Sequence, residues 1–411
     1  GTQHMKKIAI IGGGAAGMTA AVKLIEYGAD VTVFEKNDRT GLKLGITGKG
    51  RCNLTNNCTR EEFMANIPTN PRFLYSAFSA FTPADTMEFF ENMGVPLKTE
   101  RGNRVFPVSD RAGDIVHALR DRIKGHVVNR RVTGICAENG RVTGITAGGK
   151  FLPFDAVILC TGGMSYPKTG SDGDGYRFAK ALGHTVTPLR PSLVPIESPD
   201  RFCAGMQGLS LKNVAVSVTS DSGRVVYRDF GEMMFTHFGV TGPVILSASS
   251  MIPDLAPGKY ILHIDLKPAL DEKTLGDRLL SDFSKNINRD FANSLGALLP
   301  AKMIPVFVRL SGIPGEKKVN SITKEERRKV TALLKDFPVR LSRFRPIDEA
   351  IITKGGISVK EIDPKTMQSK LVSGLFFAGE IIDVDGYTGG FNLQIAFSTA
   401  VCAAAGAIEN Q

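Results

Sequence analysis

An α/β fold built around a parallel sheet is what this 411-residue sequence predicts, on three observations. The apolar run Lys7-Ile8-Ala9-Ile10-Ile11 leads into Gly12-Gly13-Gly14-Ala15-Ala16-Gly17 and then a helical stretch ending near Tyr27. A second run, Val31-Thr32-Val33-Phe34, stops at Glu35. Two more strand-length runs, Asp155 to Cys160 and Gly374 to Glu380, each meet a glycine turn. Strand, turn, helix and strand in that order make a parallel βαβ unit.

The opening unit has the form of a dinucleotide cradle. Gly12 permits the tight turn, Gly14 lets a pyrophosphate approach the backbone, and Gly17 lets the helix pack closely on the strand. The free N–H groups at the helix start then face the phosphates. Glu35 lies 23 residues after Gly12, where a carboxylate can accept both ribose hydroxyls of an adenosine. A glycine fingerprint alone is weak; flanked by two strands and closed by a placed acid, it is specific.

Beyond Glu35 comes a glycine-rich loop, Gly41 to Asn53, then helical patterns at Pro83 to Met93 and Gly113 to Ile123. His126 to Pro153 reads as a three-stranded meander turning at Glu138-Asn139-Gly140 and Gly148-Gly149. Prolines cluster from Pro188 to Pro199, and alternation follows in Val214 to Val218 and Arg224 to Tyr227. Past Pro268 the period turns helical, with Leu275, Leu279, Leu280 and Phe283 on one face. Thr323 and Glu326 form a capping box that opens a basic helix through Lys335. The expected organisation is a first nucleotide-binding part at 5–189, an inserted β domain at 190–270, an inserted helical domain at 271–345, and a returning part at 346–411.

Composition narrows the class. The formal charge of +10 is concentrated at Pro300 to Arg345, where twelve Lys and Arg meet four Asp and Glu. Such a stretch suits nucleic acid or an anionic substrate, and equally a solvated helical face, since no aromatics interleave with the charges. The six cysteines (52, 58, 136, 160, 203 and 402) show no CxxC and no metal spacing, which fits a reducing cytoplasm and no bound metal. No stretch reaches membrane-spanning length; Leu393 to Ile408 reads as a buried helix. Met5-Lys6-Lys7 and the apolar run after it do not make a signal peptide, because the triple glycine interrupts the run. Gly1 to His4 read as an expression remnant ahead of Met5.

The meander set between halves of the nucleotide fold resembles the glutathione-reductase type of flavoprotein. So do the glycine turn at Cys160-Thr161-Gly162-Gly163 and the late strand Phe377-Ala378-Gly379-Glu380. Over essentially its whole length the chain resembles the bacterial NAD(P)/FAD-dependent oxidoreductases that include aminoacetone oxidase and the dehydro-bile-acid reductases. The matching stretches are Lys43 to Asn56, Gly231 to Pro243, and Ala350 to Thr399, with Thr353-Lys354-Gly355-Gly356 and Gly389-Gly390-Phe391-Asn392-Leu393-Gln394 the nearest. Lys49 departs from the pattern, standing where this loop often carries a third glycine. The resemblance implies non-covalent FAD on a Rossmann domain, with an inserted β-barrel-like plus helical part, and no single substrate.

Carried over motif by motif, Gly12, Gly14, Ala15 and Ala16 are expected at the pyrophosphate, Glu35 and Lys36 at the ribose, and Val132 at the adenine edge. Lys43, Thr47, Gly48, Arg51, Cys52 and Asn53 are expected around the ribityl and ring. Thr161, Gly162, Gly379 and Glu380 belong to the later fingerprints. Gly390, Asn392 and Leu393 open a helix whose positive end faces the flavin pyrimidine. Cys52 beside Arg51 reads as a packing residue more than a thiolate, because no second cysteine stands at dithiol distance. Tyr166, His237 and Tyr387 are substrate-side candidates, each with a structural role as the alternative.

The resulting reading is a cytoplasmic FAD oxidoreductase that exchanges a hydride with a small organic molecule, by amine oxidation or by enone reduction, the insertion forming one wall of its pocket. The alternative is a flavoprotein acting on RNA, motivated by the basic segment and opposed by the lack of an RNA-binding module. No second strand–GxGxxG–helix exists; Gly170 to Gly175 has the wrong spacing. NAD(P)H is therefore expected only as a transient reductant.

Overall fold

The computed structural model describes residues 5–409; Gly1 to His4, read above as an expression remnant, lie outside the described residues. The chain forms two units, one running to Ser192 and resuming at Ile347, the other spanning Leu193–Pro346.

In the first unit, β1 (Lys7–Ile11), α1 (Ala15–Glu26) and β2 (Asp30–Phe34) follow one another directly. The short β3 (Val127–Val128) extends their sheet. A meander of β4 (Val132–Glu138), β5 (Arg141–Ala147) and β6 (Lys150–Pro153) precedes β7 (Ala156–Leu159). After the second unit the chain returns with β8 (Leu375–Phe377) and α2 (Phe391–Glu409). The parallel sheet has the order β8-β7-β1-β2-β3, with Ile8 opposite both Val31 and Ala156. Ile8, Ala9 and Ile10 are fully buried, as a parallel strand covered on both faces must be.

The meander differs from the sequence expectation at its start. Val127 and Val128 join the parallel sheet instead, the Glu35 amide donating to the Val128 carbonyl at 3.0 Å. Both meander turns use residues tolerant of the left-handed region, Asn139-Gly140 (φ 53° and 73°) and Gly148-Gly149 (φ 56° and 73°). That handedness matches the twist of the flanking strands.

Helix α2 corrects the expectation that no stretch reaches membrane-spanning length. Phe391, Asn392 and Glu409 extend it to 19 residues, long and apolar enough by composition, yet 78% of its apolar window is buried within the protein. Its anchor is polar. The fully buried Gln394 accepts from Thr55 Oγ1 (2.7 Å) and Thr86 Oγ1 (2.8 Å) and donates to the Phe81 carbonyl (3.1 Å).

The second unit holds a seven-stranded antiparallel sheet. Its order is Phe337–Leu341, Tyr260–Asp265, Ser210–Ser220, Val225–Phe235, Gly239–Thr241, Ile196–Glu197 and Arg343–Phe344. The first and last of these are consecutive in the chain, so the two sheet edges meet at Ser342, whose amide donates to Glu197 at 2.9 Å. The sheet therefore curls on itself. The strand at Phe337–Leu341 draws the end of the helical stretch into the sheet, and Phe337 packs edge-on against Phe202 and Phe235. Segments 190–270 and 271–345 thus share one core. Along the helix Glu272–Lys285, Leu275, Leu279 and Phe283 are buried but Leu280 is 46% exposed. One residue past Leu279 rotates it about 100° off the apolar stripe. Thr323 and Glu326 form the expected reciprocal cap on Lys324–Lys335.

Replacing Gln394 by Leu strips partners from two buried hydroxyls. The expected cost is about 2 kcal/mol in urea unfolding of the apoprotein; an unchanged midpoint would show that α2 is seated by apolar packing alone.

Candidate cofactor-binding site

The first fingerprint forms because three positions admit no side chain. A Cβ on Gly12 (φ 103°) would strike the Cys160 carbonyl, and one on Gly17 would strike the Gly12 carbonyl. At Gly14 a Cβ would meet nothing within 4 Å, so the start of α1 faces open space. The first turn of α1 has no acidic residue and no side-chain cap, leaving its N–H groups available for an anion. Glu35, 8% exposed, closes the cradle. Its Oε1 accepts from the Gly13 amide and its Oε2 from the Asn37 amide, both at 3.0 Å. Each oxygen keeps a lone pair, so the carboxylate can still accept two hydroxyls. Lys36 pairs with Asp172, and Arg131 reaches Asp174 at 2.8 Å. Val132 opens β4 at a register shift before Gly134.

A second group converges around Lys43. Its ammonium donates to Glu380 Oε2 (2.6 Å) and Ser165 Oγ (2.9 Å) and lies 5.9 Å from the Tyr166 ring centre. Glu380 Oε1 accepts from the Thr353 amide (2.6 Å), and Thr353 Oγ1 accepts from the Met164 amide (2.7 Å). One carboxylate thus links the glycine-rich loop, the turn after β7 and the turn after β8. Gly379 (φ 82°) sits against α1, where a Cβ would lie 3.0 Å from the Ala16 methyl. Burial pushes the half-buried Tyr166 phenol above its ordinary range.

The start of α2 reaches the same loop. A Cβ on Gly390 (φ 95°) would strike the Thr55 carbonyl and lie 2.9 Å from Asn53 Oδ1. Asn53 Oδ1 and Thr161 Oγ1 are buried without hydrogen-bond partners, against Gly390 and Gly175 respectively. Asn392 clamps the approach to α2, accepting from the Gly386 amide and donating to its carbonyl, both at 2.8 Å. The first turn of α2 carries no acidic residue, and Leu393 is half-buried there.

The remaining expected residues make the following contacts. The Arg51 guanidinium stacks 3.9 Å over Phe106, donates to Asp110 and pairs with Glu100, holding the Glu100 carboxyl below its ordinary range. Thr47 Oγ1 donates to the Leu44 carbonyl at 2.6 Å, and Gly48 (φ 58°) lies over the Asn53 amide. Lys49 adopts φ 57°, a left-handed conformation that a glycine would take without strain. Cys52 is fully buried and its thiol is pushed up to about 12 by burial, so it is no nucleophile at neutral pH. His237 lies in the second unit beside Phe238, their rings 5.1 Å apart. The Tyr387 amide donates to the Asn66 carbonyl at 3.0 Å. Among the described residues no cluster of metal ligands exists, and all six cysteines are free.

Sequence reasoning gave no role to Ser165, Thr353 or Gln394. Thr353 and Gln394 lie inside motifs that marked them, but their partners are far away in the chain.

These features fit FAD: an uncapped helix start, an open glycine, a carboxylate after β2 that closes the cradle, and unpartnered polar atoms further along. The family described as HI0933-like protein Rossmann domain matches residues 6–406. The chain belongs to that family. It is 30% identical to a 3-dehydro-bile acid delta(4,6)-reductase of Clostridium scindens, over 98% of this chain and all of that one. It is also 30% identical to a ribosomal RNA dihydrouridine synthase of Escherichia coli, over 95% of each. Among solved structures, 3-ketosteroid delta1-dehydrogenase of Sterolibacterium denitrificans matches over 100% of both chains, at 13% identity and a TM-score of 0.54, a likeness of fold. The protein is an FAD-dependent oxidoreductase that holds its cofactor non-covalently.

If Glu35 accepts the ribose hydroxyls, Glu35→Ala removes a charge-assisted contact to them. FAD affinity is expected to fall by about 1.5–3 kcal/mol, read by titrating apoprotein with FAD and following flavin fluorescence. Unchanged affinity would place the adenosine elsewhere.

Proposed function

We propose that this enzyme reduces a carbon–carbon double bond conjugated to a carbonyl. The observation that carries the reading is that two relatives matched over nearly their full length, a delta(4,6)-reductase and a dihydrouridine synthase, are both named for saturating such a bond. Amine oxidation draws no comparable support. FAD, when bound and reduced, would supply the hydride.

The protein's own residues do the rest. Gly12, Gly14, Ala15 and Ala16 present the α1 amides to the pyrophosphate, Glu35 and Lys36 take the ribose, and Val132 offers its backbone to the adenine. Lys43, Gly48, Asn53, Thr161, Gly162, Glu380 and Gly390 surround the ribityl and ring. The start of α2, with Asn392 and Leu393, sets a positive helix end toward negative charge on the reduced cofactor. Tyr166 and Tyr387 remain substrate-side candidates within the first unit. Six free thiols fit a reducing compartment.

The leading substrate class is a small enone. A uracil ring in RNA is the second reading, favoured by the E. coli relative's name and by exposed cations such as Arg328 and Lys329 on the helix Lys324–Lys335. The experiment is anaerobic. NADH or NADPH is expected to reduce the flavin with weak, poorly saturating dependence, since the glycine cradle is taken by FAD. Reduced enzyme is then offered a cyclic enone or ribosomal RNA lacking dihydrouridine. Rapid reoxidation by the enone supports the first reading; dihydrouridine found by mass spectrometry supports the second. Reoxidation by neither would overturn the double-bond reading.

A further inference from the structure

Saturating a conjugated double bond needs a proton as well as a hydride, and among the site residues above the phenols of Tyr166 and Tyr387 offer one. One carboxylate in the first unit stands out. Asp385 is 2% exposed, and neither of its oxygens has a hydrogen-bond partner. Lys354 Nζ stands 3.5 Å from its Oδ2, with 15% of the lysine side chain exposed. A carboxylate removed from water, with the Lys354 ammonium as its close counter-charge but no well-formed hydrogen bond, is costly in its charged form. Burial pushes the Asp385 carboxyl above its ordinary range against the pull of Lys354, and pushes the Lys354 ammonium below its own.

The position of this pair ties it to the cofactor site. Asp385 lies on the loop between Gly379-Glu380 and Gly389-Gly390, both of which meet fingerprint residues. Lys354 directly follows Thr353, whose amide donates to Glu380. In the two-stranded ladder Arg190–Ser192 with Ile352–Lys354, Arg190 is the direct partner of Lys354, so the two cations share one face. Ser192 lies two residues along on that face, fully buried, its hydroxyl without a partner. Other groups facing Asp385 are Asp383 on its own loop, Arg190, and Thr69, which bridges to it through the backbone; Arg190 and the Thr69 side chain pull its carboxyl down against the larger effect of burial.

We propose that Asp385, held beside Lys354, is the proton store of this site and delivers the proton that completes reduction of the double bond. The inference rests on the double-bond reading. Hydride added at the β carbon leaves an enolate; the two electrons would come from reduced FAD, itself reduced beforehand by NAD(P)H or dithionite. The Asp385 O–H bond breaks, and a C–H bond forms at the α carbon with the enolate's electron pair. The carboxylate left behind is held by the Lys354 ammonium and regains its proton from solvent.

The test uses FAD-loaded enzyme. Infrared spectra at neutral pH are expected to show a protonated carboxyl band in the wild type that disappears in Asp385→Asn. In single turnover, dithionite-reduced enzyme is reoxidised by 2-cyclohexen-1-one. Asp385→Asn is expected to slow this by about 100-fold or more, with flavin content and dithionite reduction unchanged. The rate requires the protonated acid, so it falls as pH rises through the Asp385 pKa. Lys354→Met removes a cation that favours the carboxylate, and therefore moves that fall to higher pH. A carboxyl band that survives Asp385→Asn, or a variant that reoxidises at the wild-type rate, would overturn the proposal. If wild type ignores the enone, the double-bond reading loses its support, and the infrared band alone decides whether Asp385 stores a proton.

Discussion

Helix α1 begins where it does because Gly12 and Gly17 bring two stretches of backbone into contact. The Gly12 carbonyl occupies the place where a Gly17 side chain would start, and the Cys160 carbonyl occupies the place of one at Gly12. Any larger residue would push α1 away from β1 and β7 together. The amides at the helix start would then point past the open space at Gly14. Much of the site inherits its position from that contact. Gly379 packs on Ala16 in the first turn, which sets the turn after β8, which in turn places Glu380 against Lys43.

Around this backbone contact the polar groups are joined in sequence-distant pairs. Glu380 receives Lys43 across 337 positions and the Thr353 amide across 27. Gln394 reaches Thr55 across 339 and the Phe81 carbonyl across 313. In a buried setting each such bond is expensive to leave unmade, so these pairs specify the fold as much as they stabilise it. The atoms left unpaired are therefore informative. In the first unit, Asn53 Oδ1, Thr161 Oγ1, the Tyr176 hydroxyl, Ser192 Oγ and the two Asp385 oxygens are buried without hydrogen-bond partners.

The second unit shows how a basic stretch can be structural and still leave charge outside. Arg340 pairs with Asp200, and Lys317 with Glu326 inside the cap of a helix. Lys335 reaches Asp265 and two carbonyls at a helix end. These bonds use several of the cations that the composition placed in one stretch. Of the exposed ones, Lys324, Arg328 and Lys329 lie on the helix Lys324–Lys335, where the RNA reading would use them, and Arg309 lies on the helix Ile304–Ser311.

The sequence by itself determined the strand–glycine–helix unit, the acid at Glu35, the hairpin turns at Asn139-Gly140 and Gly148-Gly149, and the cap at Thr323. Each is a local matter: a left-handed turn, a close approach or a cap is settled by residues within a few positions. It also pointed to the loops that meet in space, through the motifs they carry. Only the tertiary structure decided that Val127 and Val128 leave the meander for the sheet, that α2 runs to 19 residues inside a core, and that Phe337–Leu341 closes the second sheet. It alone set the Arg51 side chain against Phe106 and brought Lys354 to Asp385. Those outcomes depend on which partner a side chain meets after the chain has crossed between units and returned, and neither periodicity nor spacing carries that information.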